Sequence, residues 1–206
     1  MSIPKDVVSY LDKHGVKYEI VPHKKVFTAY DLAQTLGEDL AKVAKTLLLA
    51  VELPEIKKGK KFFIVAVPAS YKVELEKIRK TLKAKSVEFA PEKVMKKLGI
   101  EPGSLSPFAA MHTLELLMDN TLLKTKQILV RAGSLTESIR MKTKDLHAME
   151  KSLAGVFGKK TNIKLQKHTV KAKKANKKVG SKKKPATKTK VVAKKKKPTN
   201  VRHPRA

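Results

Sequence analysis

The last acidic residue of the 206-residue chain is Glu150, and from Lys159 to Ala206 there are 20 Lys or Arg and no Asp or Glu. The same segment holds one Leu and no Phe, Tyr or Trp. Such a sequence cannot bury enough apolar surface to offset the entropy of ordering it. Its lysine runs, Lys182–Lys184 and Lys194–Lys197, repel one another, and Pro185, Pro198 and Pro204 interrupt any helix. A folded domain is therefore expected over 1–157, followed by a disordered lysine-rich tail over 158–206. Of the formal charge of +29, most belongs to the tail, because residues 1–158 carry 27 basic against 18 acidic side chains. A tail of this kind either keeps the chain soluble or binds a polyanion by releasing counterions. It has no aromatic ring on which to stack bases, so it would contact phosphate and not read sequence.

The remaining body is long enough for one real core, since a domain of about 150 residues buries roughly two thirds of its unfolded surface. The chain contains no Cys, which excludes disulfide frameworks, thiolate metal sites and cysteine nucleophiles. No run of about 18 apolar residues is present, so no membrane span is expected. The opening MSIPKDVVSYLDKHG lacks the apolar stretch and cleavage site of a secretory signal. A cytoplasmic protein is the resulting expectation.

Periodicity predicts alternating short helices and strands. Ser2 is expected to cap a first helix with Val7, Val8 and Leu11 inward, ending at Gly15. Thr28 and Asp31 have capping-box-like spacing before a helix that ends at Gly37. Strands are expected at Val16–Ile20, Thr46–Val51, Phe62–Val67, Val87–Phe89, Thr113–Met118, Gln127–Arg131 and Ser138–Met141. Helices are expected over Glu74–Leu82, from Pro91 to Gly99, and from Thr143 through Leu153 to Gly155. Hairpin-linked strands dominate this order, which points to an α+β fold with a mixed sheet and segregated helices.

No nucleophile elbow, zinc-binding His pair, Walker loop or dinucleotide fingerprint occurs. The histidines lack metal-ligand spacing, so neither a metal nor another cofactor is expected. Two features carry chemical potential. Lys45 stands at the entry of the apolar run TLLLAV. It either snorkels at a strand end or points into a cleft as a fixed cation. The loop Gly99–Phe108 contains Pro102, Gly103 and Pro107, which give it a stiff shape. It is either a plain connector or a nest of backbone N–H groups that a ligand approaches closely at Gly103. A cation beside such a loop suits a negatively charged, esterified ligand.

Four stretches in order, VPHKKVFTAYDLAQTLG (21–37), VAKTLLLAV (43–51), VEFAPEKVMKKLGIEPGSLSPF (87–108) and ILVRAGSLTESIRMKTKDL (128–146), resemble the YbaK/ProX family. These are aminoacyl-tRNA deacylase domains that also occur as an insertion in bacterial prolyl-tRNA synthetases. The resemblance spans nearly all of 1–157. It implies an α+β fold built on a strongly curved, barrel-like mixed β-sheet with helices packed around it. It also implies hydrolysis of the ester joining an amino acid to the 3′-terminal ribose of a tRNA. Lys45 matches the family's essential lysine, whose implied role is to hold the phosphate or ribose end of the terminal adenosine. The segment GSLSP matches the family's Gly-x-x-x-Pro loop, which implicates Gly103, Ser104 and Ser106 in catalysis and Pro107 in substrate binding. Its N–H groups would bind the aminoacyl carbonyl and the oxyanion that develops from it. The family has no side-chain nucleophile; a water or a group of the substrate itself attacks or assists.

Thr28, Thr46, Ala132, Gly133 and Ser138 are the expected pocket residues. Cysteine-releasing members carry Phe where Thr28 stands, and Ser and Asp where Arg131 and Ser138 stand, which argues against Cys-tRNA. The run His23…Phe27-Thr28-Ala29 is closer to members that clear alanine or other small residues. The family reading is thus an editing enzyme acting in trans on mischarged tRNA(Pro), with transient synthetase contact and a tail that adds RNA affinity. The alternatives are a non-catalytic tRNA- or synthetase-binding module, and a nucleic-acid-binding protein driven by its tail.

Overall fold

The computed structural model describes residues 2–166; the rest of the expected basic tail, 167–206, lies outside them. The chain opens with α1 (Lys5–Lys13), whose Val7 and Leu11 are buried one turn apart. Its N-cap is Pro4 and not Ser2, and the Asp6 carboxylate accepts from the Val7 N–H at 2.9 Å. Proline sets the entry φ at −58°, so the helix starts without a side-chain cap. After β1 (Tyr18–Pro22), α2 (Ala29–Leu36) begins at Thr28, whose Oγ1 accepts from the Asp31 N–H at 3.0 Å. It ends on Gly37 at φ 64°, the left-handed conformation that favours glycine.

The hairpin β2 (Ala44–Glu52) and β3 (Lys61–Pro68) forms the centre of the main sheet. Next come β4 (Tyr71–Val73), α3 (Leu75–Thr81), β5 (Ser86–Phe89) and α4 (Glu92–Lys97). A 3-10 turn at Ala109–His112 leads into β6 (Glu115–Asp119) and the one-turn α5 (Asn120–Leu123). Then follow β7 (Gln127–Arg131), β8 (Glu137–Lys142), α6 (Thr143–Glu150), β9 (Leu153–Gly155) and β10 (Gly158–Lys160).

The strands form a mixed five-stranded sheet in the order β5-β2-β3-β6-β9, an antiparallel sheet β1-β8-β7, and the pair β10-β4. In the first sheet β3 pairs with β6, and β6 with β9, in parallel. A parallel bridge between Val43 and Leu129 joins the two larger sheets, with the Leu129 N–H donating to the Lys42 carbonyl at 2.8 Å. The fold is α+β with a mixed sheet, as expected, but the sheet does not close into a barrel. Apolar layers cover both faces of β2. Ala44 and Leu48 pack toward α1, Phe108 and β6–β8, while Leu49 and Val51 pack toward Ile78 and Phe157. Two-sided burial explains why this strand reads as a nearly unbroken apolar run.

Two departures from expectation occur near the C-terminal end. The last helix stops at Glu150 instead of reaching Gly155, because Lys151 turns left-handed (φ 48°) and the Ser152 N–H returns to the His147 carbonyl. Leu153–Gly155 then extends the main sheet beside β6. The chain also continues past the expected domain end at 157. Gly158–Lys160 pairs with β4, Thr161 donates twice to the Ser70 carbonyl, and the Gln166 backbone and Gln34 side chain exchange hydrogen bonds. Most of these contacts use the segment's backbone, and Leu165 adds packing against the cluster that holds Val26, Leu32 and Val43.

Asp119 fixes this returning segment. Its buried carboxylate accepts from the N–H groups of Phe157 (2.8 Å), Gly158 (3.0 Å) and Thr121 (2.8 Å). Charge-assisted bonds of this kind contribute about 1.5–3 kcal/mol each in mutational series. Asp119→Ala is expected to lower unfolding free energy by about 3 kcal/mol, measured by urea denaturation. A loss under about 0.5 kcal/mol would mean the segment is held by other contacts.

Candidate active site

The site begins with an incomplete pairing in the main sheet. β2 pairs with β3 along Ala44–Val51, but β5 reaches its other side only from Leu49 onward. The Leu48 carbonyl accepts from the Ala90 N–H on that side, and the Lys42 carbonyl accepts from Leu129. Backbone groups of a strand alternate sides, so the Thr46 peptide group faces the gap between these two attachments. Along this edge lies a cavity of about 310 Å³. Its walls come from residues 27–29, the stretch 44–48, Met95 of α4, the loop residues Pro102, Gly103 and Leu105, and Arg131 at the end of β7.

Lys45 is half-buried in this wall. Its ammonium donates to the Tyr71 carbonyl. No carboxylate lies within ion-pair distance of it among the described residues, and burial lowers its pKa below the ordinary lysine value. Thr46, on the opposite face of the strand, donates its hydroxyl to the Leu105 carbonyl at 2.5 Å. That bond ties the 101–108 loop to β2. The loop is also held at Gly133, whose N–H donates to the Ser104 carbonyl at 3.1 Å.

Gly103 has φ 84°, and a Cβ there would lie 2.7 Å from the Phe27 carbonyl oxygen. Both the left-handed backbone and the close approach require glycine. The Ser104 N–H is occupied by the Glu101 carbonyl. Among the described residues, the N–H groups of Gly103 and Leu105 donate to no protein group. Both residues line the cavity.

Arg131 is 3% exposed yet borders the cavity. Its guanidinium donates to the carbonyls of Val26 (2.9 Å), Thr28 (3.4 Å) and Ser134 (3.4 Å). It staples the segment that enters α2 to the β7–β8 turn. Burial disfavours its charged form, and Asp31 partly offsets that effect.

Of the residues expected from sequence, Lys45, Thr46, Thr28 and Gly103 come together around this one cavity. Ser104, Ser106, Pro107, Ala132 and Ser138 are buried outside its lining, and Gly133 forms an exposed turn at φ 74°. Ser104 spends its hydroxyl on the Glu101 carbonyl at 2.8 Å. Ser138, fully buried, lies 2.8 Å from Nε2 of His23, whose Nδ1 is 2.8 Å from the Lys24 carbonyl. A carbonyl only accepts, so Nδ1 carries the proton and the Ser138 hydroxyl donates to Nε2. Neither residue of this Ser–His contact lines the cavity. Sequence reasoning missed Arg131, Phe27, Met95, Pro102 and Leu105 as wall residues. Arg131 offered a signal, an Arg closing the apolar run ILV. Among the described residues no cluster of three or more His, Asp or Glu side chains is placed to hold a metal. No described helix is long and apolar enough to cross a membrane.

An α+β domain with a mixed sheet, opening at a strand edge onto a lysine and a constrained glycine loop, has the architecture of an editing domain. Residues 23–149 match the model of the aminoacyl-tRNA editing domain, and the chain belongs to that family. It is 21% identical over 162 residues to the prolyl-tRNA editing protein ProX of Acetoanaerobium sticklandii, covering 76% of this chain and 96% of that one. It is 26% identical over 119 residues to the uncharacterized protein YwhH of Bacillus subtilis, covering 58% and 72%. Among solved structures, the hypothetical protein APE2540 superimposes with a TM-score of 0.66 at 17% identity, covering 74% and 99%. A candidate trans-editing enzyme for prolyl-tRNA synthetase does so with 0.61 at 21% identity, covering 75% and 96%.

Proposed function

We propose that this chain hydrolyses the ester of mischarged aminoacyl-tRNA, acting in trans in the cytoplasm on tRNA(Pro) that carries a small amino acid. The observation that carries this reading is the pairing of Lys45 with the undonated amides of Gly103 and Leu105 around one cavity. In this reading the Lys45 ammonium holds the phosphate or ribose end of the terminal adenosine. The loop amides receive the aminoacyl carbonyl oxygen. Water attacks the carbonyl carbon, and the amides stabilise the negative charge that grows on that oxygen. The bond to the ribose oxygen then breaks, the ribose hydroxyl is reprotonated, and free amino acid leaves. No hydroxyl in the lining is bonded to a histidine, so the attacking oxygen comes from water or from the substrate's neighbouring hydroxyl. An aminoacyl ester is activated already, so positioning plus one or two oxyanion donors, each worth about 3 kcal/mol, suffices. A cavity of about 310 Å³ is at the small end for ligand sites, which supports a small aminoacyl group.

The tail supplies sequence-independent RNA affinity in this proposal. If it engages about five phosphates, log K falls with log salt at a slope contribution near −3.5 to −4.5. The informative truncation ends after residue 166, because the segment before it is woven into the fold. That truncation is expected to flatten the salt dependence of tRNA binding by about this amount, read by fluorescence anisotropy from 50 to 200 mM salt. An unchanged slope would assign the tail another task.

A further inference from the structure

At the other end of β7 opens a second and larger cavity, of about 830 Å³. Six cations line it: Lys42, Lys124, Lys126, Arg140, Lys142 and Lys144, with Glu38 as its one acid. Ile128 and Leu129 contribute its apolar floor. The charges are not neutralised within the fold. Glu38 engages Arg140 at 3.1 Å and Lys42 at 3.9 Å, and Glu19 lies 3.5 Å from Arg140. Among the described residues, no carboxylate lies within ion-pair distance of Lys124, Lys126, Lys142 or Lys144. These four exposed lysines come from separate elements: the α5–β7 connection, β8 and the first turn of α6. A solvated lysine face ordinarily spreads its charges or mixes them with acids. Here they converge on one concave surface, which concentrates positive potential.

Two parallel stretches of chain run from the groove to the first cavity. The lead into β2 passes from Lys42 in the groove to Ala44–Leu48 in the cavity. β7 passes from Gln127–Leu129 in the groove to Arg131 in the cavity, and the Val43–Leu129 bridge holds the two stretches side by side. From Gln127 to Arg131 the strand advances about 13 Å. That distance matches about four stacked nucleotides at ~3.4 Å each. We propose that this groove seats the ribose-phosphate backbone of the substrate RNA, about four nucleotides inward from the ester held beside Lys45. This rests on the deacylase reading above. The contacts are to phosphate, so the groove fixes register and reach without reading bases.

The test uses the full chain with Lys124, Lys126, Lys142 and Lys144 all changed to Gln, and a Lys→Arg counterpart as control. Two measurements separate the proposal from the reading beneath it. Anisotropy with uncharged tRNA needs no activity: the Gln variant should lower the salt slope by about 3, and the Arg variant should keep it. Single-turnover hydrolysis compares aminoacyl-tRNA with aminoacyl-adenosine, which is too short to reach the groove. The Gln variant should lose at least about tenfold in kcat/KM on the tRNA and keep its rate on the adenosine ester. A salt slope unchanged in the Gln variant overturns the proposal, as does equal loss on both esters. If the wild type cleaves neither ester, the deacylase reading fails, and the anisotropy result still decides whether the groove seats RNA.

Discussion

Lys45→Met is expected to reduce single-turnover ester hydrolysis by about 100-fold or more without lowering the melting temperature. The catalytic part follows from charge. Methionine keeps the aliphatic stem and removes the ammonium, so under the proposed function the substrate's phosphate or ribose loses its anchor and the ester its orientation. The stability part follows from burial. Lys45 has one carbonyl partner and no carboxylate, and burial holds its pKa below the unfolded value of 10.5. A lysine depressed in this way makes the protonated folded state costly below its folded pKa. That cost fades as pH rises through the folded pKa toward the unfolded one. Wild type should therefore gain on the variant between neutral pH and about 10. Thermal melts at both pH values, run beside the hydrolysis assay, check the pair of effects. A variant that loses activity because it unfolds would assign Lys45 a structural role instead.

Gly103→Ala is the second large effect. A left-handed non-glycine residue costs about 1–2 kcal/mol. The added Cβ would also meet the Phe27 carbonyl at 2.7 Å, so either the loop or the 27–29 segment has to move. Either movement displaces the Gly103 and Leu105 amides from the carbonyl oxygen that the proposed reaction assigns to them. Losing one oxyanion donor costs about 100- to 1000-fold in rate. Gly99→Ala provides the control: it has φ 70°, and a Cβ there meets nothing within 4 Å. It imposes the same backbone strain with no clash. Gly103→Ala should abolish turnover while Gly99→Ala costs stability alone, as measured by kcat and by urea midpoint. Equal kcat losses would place the effect in strain and not in the amides.

The parts of this fold that were legible in sequence are those with local causes. The Thr28 cap and the Gly37 stop each follow from a few neighbouring residues, and β7 occupies Gln127–Arg131 as its apolar run predicts. Lys45 was legible because a cation interrupts an apolar strand. Arg131 gives the same signal in ILVR, yet its role emerges only when β7 brings it beside Phe27 and Thr28. The three-residue strands β4, β9 and β10 were not legible, because they are made by backbone pairing to distant partners. The resemblance implicates Ser104 and Ser106 in catalysis, but both are buried in a loop that the Thr46–Leu105 and Gly133–Ser104 bonds hold against the fold. The groove cations are scattered across about a hundred residues of sequence, so nothing short of the fold assembles them.

The most direct test of the central claim is single-turnover deacylation of tRNA(Pro) charged in turn with Ala, Ser, Cys, Thr and Pro, using the full chain. The account predicts rapid release of a small amino acid from its mischarged tRNA, with Pro-tRNA(Pro) left intact. No release from any of the five, with tRNA binding undiminished, would contradict it and leave a binding module in place of an enzyme.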